Sequence, residues 1–166
     1  MSSPILVLCL GNRLRRDDGV AWRVADLLER DPPAGAAVVR TSLSGLKLLD
    51  EMEGFERVVL VDAIQSGRRA PGTVLSFDAE ELPRAPGPTP HVLGLSSSLT
   101  LARSLGAPVP GRVDVVAVEI ADASTFEEGL TPEVEAALPA AARAVFEALA
   151  RLAAEEASAR AATRSG

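Results

Sequence analysis

Tyrosine is absent from this chain, and Cys9, Trp22, Lys47 and His91 are the only residues of their kinds. Each scarcity excludes something. A single cysteine permits neither an intramolecular disulfide nor a thiolate-rich metal cluster, which fits a reducing compartment. Aromatics supply 3% of 166 residues, so Val, Leu, Ile and Ala must build the core. Basic charge rests almost wholly on Arg, no stretch interleaves clustered Arg with aromatics, and the net charge is −6. An acidic chain without a basic stripe lacks the means to neutralise phosphates, so no nucleic-acid partner is expected. No apolar run approaches the roughly 20 residues that span a bilayer. The apolar run at 4–10 is too short for a signal peptide and has no basic segment before it. The expectation is a cytoplasmic protein with no membrane partner.

What is present is an ordinary globular mixture, 47% hydrophobic and 24% charged. The length suits one domain, which buries roughly 70% of its unfolded surface without staples. Residues 4–10 are unbroken apolar and end at Gly11-Asn12, the pattern of a strand covered on both faces. Asp17-Asp18-Gly19 open a helix whose apolar residues Val20, Val24, Leu27 and Leu28 recur at helical spacing until Pro32-Pro33. Further strands are expected at 37–41, 58–61, 72–77 and 113–118, and helices at 43–52 and 93–105. The segment 80–90 contains Pro83, Pro86, Pro88 and Pro90 and reads as an irregular loop. A short helix is expected from Pro132, then a longer Ala-rich helix over 139–156. The domain thus spans 1–156, with 157–166 a disordered tail. Apolar strands alternating with amphipathic helices predict an α/β three-layer sandwich, a mostly parallel twisted sheet with helices on both faces.

In such sheets ligands bind beyond the carboxyl ends of the strands. Asn12 and Asp18 follow the first strand, Asp62 terminates the strand at 58–61, and Glu119 terminates the one at 113–118. Each also has a plain structural reading: a helix N-cap for Asp17 or Asp18, a turn opener for Asp62, a solvated loop residue for Glu119. His91 follows the proline-rich segment and precedes a helix, which can carry it over the strand ends. Two carboxylates and one imidazole form an O,O,N donor set suited to a borderline ion such as Ni²⁺ or Zn²⁺, with coordination positions left open.

Rival chemistries fail on the residues. No Gly-Lys-Ser/Thr string exists for a phosphate loop. Only Gly11 and Gly19 flank the first turn, with two aspartates where a dinucleotide phosphate would sit. Gly94-Leu95-Ser96-Ser97-Ser98 lacks the second glycine of a nucleophile elbow. Cys9 with His91 could form a thiol pair, but Cys9 lies in an apolar strand, where a small buried hydrophobe is the plainer role.

Gly11-Asn12, Leu14, Asp17-Asp18-Gly19, Val61-Asp62-Ala63 and His91, in that order, resemble the motifs of the hydrogenase maturation endopeptidases. The likeness continues through 116–119, Gly129-Leu130-Thr131-Pro132-Glu133-Val134 and Ala137-Leu138-Pro139, and so covers nearly all of the chain. Cys9 and Ala21 stand where that family often has glycine, small-residue exchanges that bear on loop shape. The resemblance implies an enzyme that removes a C-terminal extension from the large-subunit precursor of a [NiFe] hydrogenase after nickel insertion. It carries nickel recognition onto Asp18, Asp62 and His91. Gly11, Asn12, Asp17 and Glu119 are expected to support them. Nickel would arrive on the substrate, with none tightly bound at rest. The nickel, or Asp18 or Asp62 as a general base, could activate water. One chain is expected to act as a monomer. Two alternatives remain open at this point: a non-catalytic, metal-sensing binder of hydrogenase precursors, and an unrelated metal-dependent hydrolase.

Overall fold

The computed structural model describes the backbone of residues 4–84 and 90–164, with side chains described over 4–81 and 95–163. Five strands form one sheet: β1 (Ile5–Leu10), β2 (Ala36–Thr41), β3 (Arg57–Ile64), β4 (Val74–Asp78) and β5 (Arg112–Glu119). Their order is β2-β1-β3-β5-β4, parallel throughout except for β4, which runs antiparallel to β5 at one edge. The helices are α1 (Val20–Arg30), α2 (Lys47–Asp50), α3 (Pro90–Ser104) and α4 (Pro132–Arg164). The α/β sandwich expected from the apolar runs is therefore what forms.

Alternation along the central strands divides the core in two. Ile5, Val7 and Cys9 of β1, with Val59, Val61 and Ala63 of β3, pack against α1 and α4. Leu6, Leu8 and Leu10, with Val58, Leu60 and Ile64, pack against Leu48 of α2, Met52 just after it, and Leu95 and Leu99 of α3. Because successive side chains point to opposite faces, a central strand must be apolar at every position, and that is why the runs are continuous. Each such Val or Leu contributes roughly 1.5–3 kcal/mol by leaving water. Among the described residues no helix is long and apolar enough to cross a membrane.

Several boundaries differ from expectation. The helix foreseen at 43–52 shrinks to four residues, because Gly45 takes a φ of 61° and the chain proceeds by three-residue turns, Leu48 N–H to Gly45 C=O and Leu49 N–H to Leu46 C=O. The proline-rich segment is not wholly irregular: a 3-10 turn covers Ala79–Arg84 and α3 begins at Pro90, while 85–89 lie outside the described residues. The strand foreseen at 58–61 continues to Ile64, since β5 pairs with it as far as Glu119. Asp62 is thus inside a strand rather than at its end.

The two helices foreseen around Pro139 are one, and it runs through the stretch foreseen as a disordered tail to Arg164, exposed over 157–163. Val134, Ala137, Leu138, Ala141, Val145, Ala148, Leu149 and Leu152 form a single buried stripe across Pro139. Burying that stripe outweighs the roughly 3 kcal/mol that an interior proline costs a helix. Pro139 itself is exposed. Pro139→Ala should therefore restore the Glu135 C=O bond and raise stability by about 1–3 kcal/mol, read as a higher melting temperature. An unchanged or lower midpoint would show that the helix draws no penalty from its proline.

Candidate functional site

The chain leaving β1 turns back on itself so tightly that two positions have no room for a side chain. A Cβ on Gly11 would lie 2.1 Å from the Asp18 carbonyl oxygen, and one on Gly19 would lie 2.8 Å from the Arg13 Cα. Asn12 closes the turn: its Oδ1 accepts the Leu14 N–H at 3.0 Å, and its own N–H donates to Asp18 C=O at 3.2 Å. Gly11 N–H donates to Thr41 C=O at 3.0 Å, tying the turn to the end of β2. Arg16 adopts a φ of 43°, a region that non-glycine residues seldom occupy. It is held there by its N–H on Glu127 C=O at 2.9 Å and its guanidinium on the Glu127 carboxylate at 2.6 Å.

The aspartate pair separates by function. Asp17 is fully buried, and its carboxylate accepts four hydrogen bonds. These come from Thr131 N–H at 2.7 Å, Thr131 Oγ1 at 3.0 Å, Asp122 N–H at 3.0 Å and Ala121 N–H at 3.1 Å. Neither aspartate caps its own helix. Asp17 instead sits at the N-terminus of α4, where a negative charge meets the positive end of the helix dipole. Asp18, next in sequence, is half-buried and close enough to Asp62 for its charge to act on it.

Asp62 lies in the middle of the sheet. Alternation places it on the α2/α3 face, between Leu60 and Ile64, with no solvent exposure. Among the described residues its Oδ1 accepts only the adjacent Ala63 N–H at 2.8 Å, and its Oδ2, equally buried, has no hydrogen-bond partner. Burial drives its carboxyl well above the ordinary aspartate value; the Ala63 N–H opposes this, and the charge of Asp18 adds to it. A carboxylate so placed is either protonated or answered by a cation.

Glu119 ends β5, so the plain reading of a solvated loop residue, set beside its expected supporting role, does not apply. It is buried, and its carboxylate accepts Ser66 Oγ at 2.7 Å and Gly67 N–H at 2.9 Å, which fastens the connection from β3 to β4. It supports the edge without being available to a ligand. His91 falls in the first turn of α3, the helix covering the Asp62 face, but its side chain lies outside the described residues. Among the described residues no three His, Cys, Asp or Glu side chains are grouped to hold a metal ion, so the foreseen set is joined only as far as Asp18 and Asp62. Cys9 packs on the opposite face, toward α1 and α4, and burial pushes its thiol up to about 12. It is neutral at physiological pH and no nucleophile.

Residues without a role in the sequence reading also build the site. Thr131 and Asp122 position Asp17, while Asp122 organises its own loop by accepting Ser124 N–H, Ser124 Oγ, Thr125 N–H and Thr125 Oγ1. The string Gly129-Leu130-Thr131-Pro132 was the available signal, since a threonine before proline marks a helix start. Nothing local in it points to Asp17.

The chain matches the family model described as hydrogenase maturation protease (HycI) over residues 22–148. It is 34% identical over 149 residues to the hydrogenase 2 maturation protease of Escherichia coli K12, covering 87% of this chain and 90% of that one. Among solved structures it is similar to the hydrogenase maturating endopeptidase HybD of E. coli, with a TM-score of 0.75, 32% identity and coverage of 89% and 93%. The [NiFe] hydrogenase maturation protease HybD of Thermococcus kodakarensis superposes with a TM-score of 0.69 at 27% identity, over 88% of this chain and 98% of that one.

Two outcomes follow from the geometry. Gly11→Ala must displace the Asp18 carbonyl and should destabilise by about 1–3 kcal/mol, the usual cost of overpacking, in denaturant unfolding. Asp62 is protonated more readily folded than unfolded, so the unfolded chain loses its proton first as pH rises. Stability therefore falls from about pH 4, the unfolded value, up to the raised folded value, and is level beyond it. Asp62→Asn removes that loss. Its melting temperature should match the wild type near pH 4 and exceed it increasingly toward neutrality; a gap constant with pH would contradict the assignment.

Proposed function

The chain belongs to the hydrogenase maturation protease family, and from that premise we propose that it removes the C-terminal extension of a [NiFe] hydrogenase large-subunit precursor once nickel is in place. The observation that carries nickel recognition is the buried Oδ2 of Asp62, without a hydrogen-bond partner among the described residues, beside the charge of Asp18. Two carboxylates held together against their repulsion favour a divalent cation over water. With an imidazole from His91 at the start of α3, the donors are two oxygens and one nitrogen, a set that nickel accepts.

In this reading nickel is part of the substrate, already held by the precursor. Free nickel competes poorly for a site without thiolates, so the isolated protein needs no resident metal. Asp18, Asp62 and His91 complete the coordination of the precursor's nickel. That fixes the scissile bond at the carboxyl edge of the sheet, and placement supplies much of the rate. Water then attacks the scissile carbonyl carbon and gives up a proton to a nearby carboxylate. The C–N bond breaks and the proton passes to the leaving amine, yielding a new C-terminal carboxylate and a free peptide. A precursor lacking nickel offers the carboxylates no cation and is left uncut. One chain in the cytoplasm suffices for the reaction.

The test is incubation of purified protein with nickel-loaded and nickel-free precursor, followed by mass spectrometry. Wild type should release a C-terminal peptide only from the loaded precursor. Asp62→Ala and His91→Ala should slow release by at least about 10²-fold. Cleavage of the nickel-free precursor at a similar rate would overturn nickel recognition. Binding of the loaded precursor without cleavage would overturn the processing reaction and leave a precursor-binding module.

A further inference from the structure

We propose that Asp17 is a positioning residue for the processing reaction, its buried carboxylate joining the turn after β1 to the loop after β5 and the start of α4 so that the turn bearing Asp18 is held in place beside β3. This rests on the reaction proposed above for its kinetic consequence, though not for its structural one.

Four donors converge on one carboxylate from residues 104 to 114 positions away in sequence. Thr131 supplies two of them, its N–H to Oδ1 and its Oγ1 to Oδ2. The backbone repeats the link, with Asp17 N–H on Asp122 C=O at 3.0 Å and Arg16 N–H on Glu127 C=O at 2.9 Å. Asp18 is thereby held from two sides. Toward the N-terminus its carbonyl accepts Asn12 N–H and abuts Gly11; its N–H donates to Arg15 C=O at 3.0 Å, and its other neighbour in the turn is the anchored Asp17.

A carboxylate on a turn can work with one in the sheet only while the turn holds it in place. Asp62 cannot move, because β3 pairs with β1 on one side and β5 on the other. Asp18 sits on a four-residue 3-10 turn, Arg16–Gly19, that no strand contains. The restraint on that turn must come from elsewhere, and Asp17 is its one fully buried charged side chain. A carboxylate is also the group that four donors require. An amide in its place would present its own N–H₂ to N–H groups and lose half of its acceptors.

Asp17→Asn should lower kcat for the nickel-loaded precursor on the order of 10–10²-fold, the cost of misplacing a reacting group by about 1 Å, while KM stays within about twofold. Should Asp17→Asn fold poorly, Thr131→Val removes one donor only and is expected to lower kcat about tenfold, with Thr131→Ser restoring it to within about twofold. Restoration by serine at equal melting temperature separates positioning from simple stability. A second measurement needs no substrate: a double-mutant cycle of melting temperatures between Asp18→Asn and Asp62→Asn. It should show coupling in the wild-type background that falls by half or more in the Asp17→Asn background. Unchanged coupling, or full kcat in Asp17→Asn with only a lower melting temperature, would overturn the proposal. If the wild type leaves the precursor uncut, the processing reading fails and the cycle alone decides the role of Asp17.

Discussion

The parallel ladder of β1, β3 and β5 is the constraint on which the site depends. Parallel strands need helical crossovers, and those cover both faces of the sheet, so each central strand is buried on two sides. The ladder aligns the carboxyl ends of the three strands and brings the connections that leave them to a common edge. It also has a local consequence. Asp62 pairs with Ala117 within the ladder, so its side chain direction is set by alternation and it is buried on the α2/α3 face.

At that edge carboxylates of similar depth differ only in how many donors reach them. Asp17 has four and Glu119 has two, and each joins segments distant in sequence. Asp62 has one, from its own neighbour, and an oxygen with none among the described residues. Burying a charge without partners costs far more than burying it with them, so the answered carboxylates act as structure and the unanswered one stores unmet electrostatic demand. That contrast directs the functional reading to Asp62, and to Asp18 through its effect on Asp62.

The glycines of the motif have a simpler reason. Gly11 and Gly19 are where the returning chain leaves no volume for a methyl group, and neither takes a positive φ. Arg16, with a side chain, takes the left-handed conformation instead and is braced by Glu127. The turn is thus shaped by close approach at its two ends and by a restrained strain in its middle.

The sequence by itself determined the apolar runs, and with them the α/β sandwich and its mostly parallel sheet, because a strand covered on two faces must be apolar at every position. It also determined the tight turn, through Gly11, Asn12 and Gly19, because those needs are local. It misjudged Pro139, where a buried stripe overrides a helix breaker, and the end of β3, where pairing with β5 carries the strand through Asp62. Only the tertiary structure decided which carboxylate anchors, which fastens a loop and which is left wanting. The donors that settle those roles lie about 50 to 110 residues away along the chain, at Thr131, Ala121 and Asp122 for Asp17 and at Ser66 and Gly67 for Glu119. No spacing in one dimension records them; the folded sheet brings them within hydrogen-bond reach.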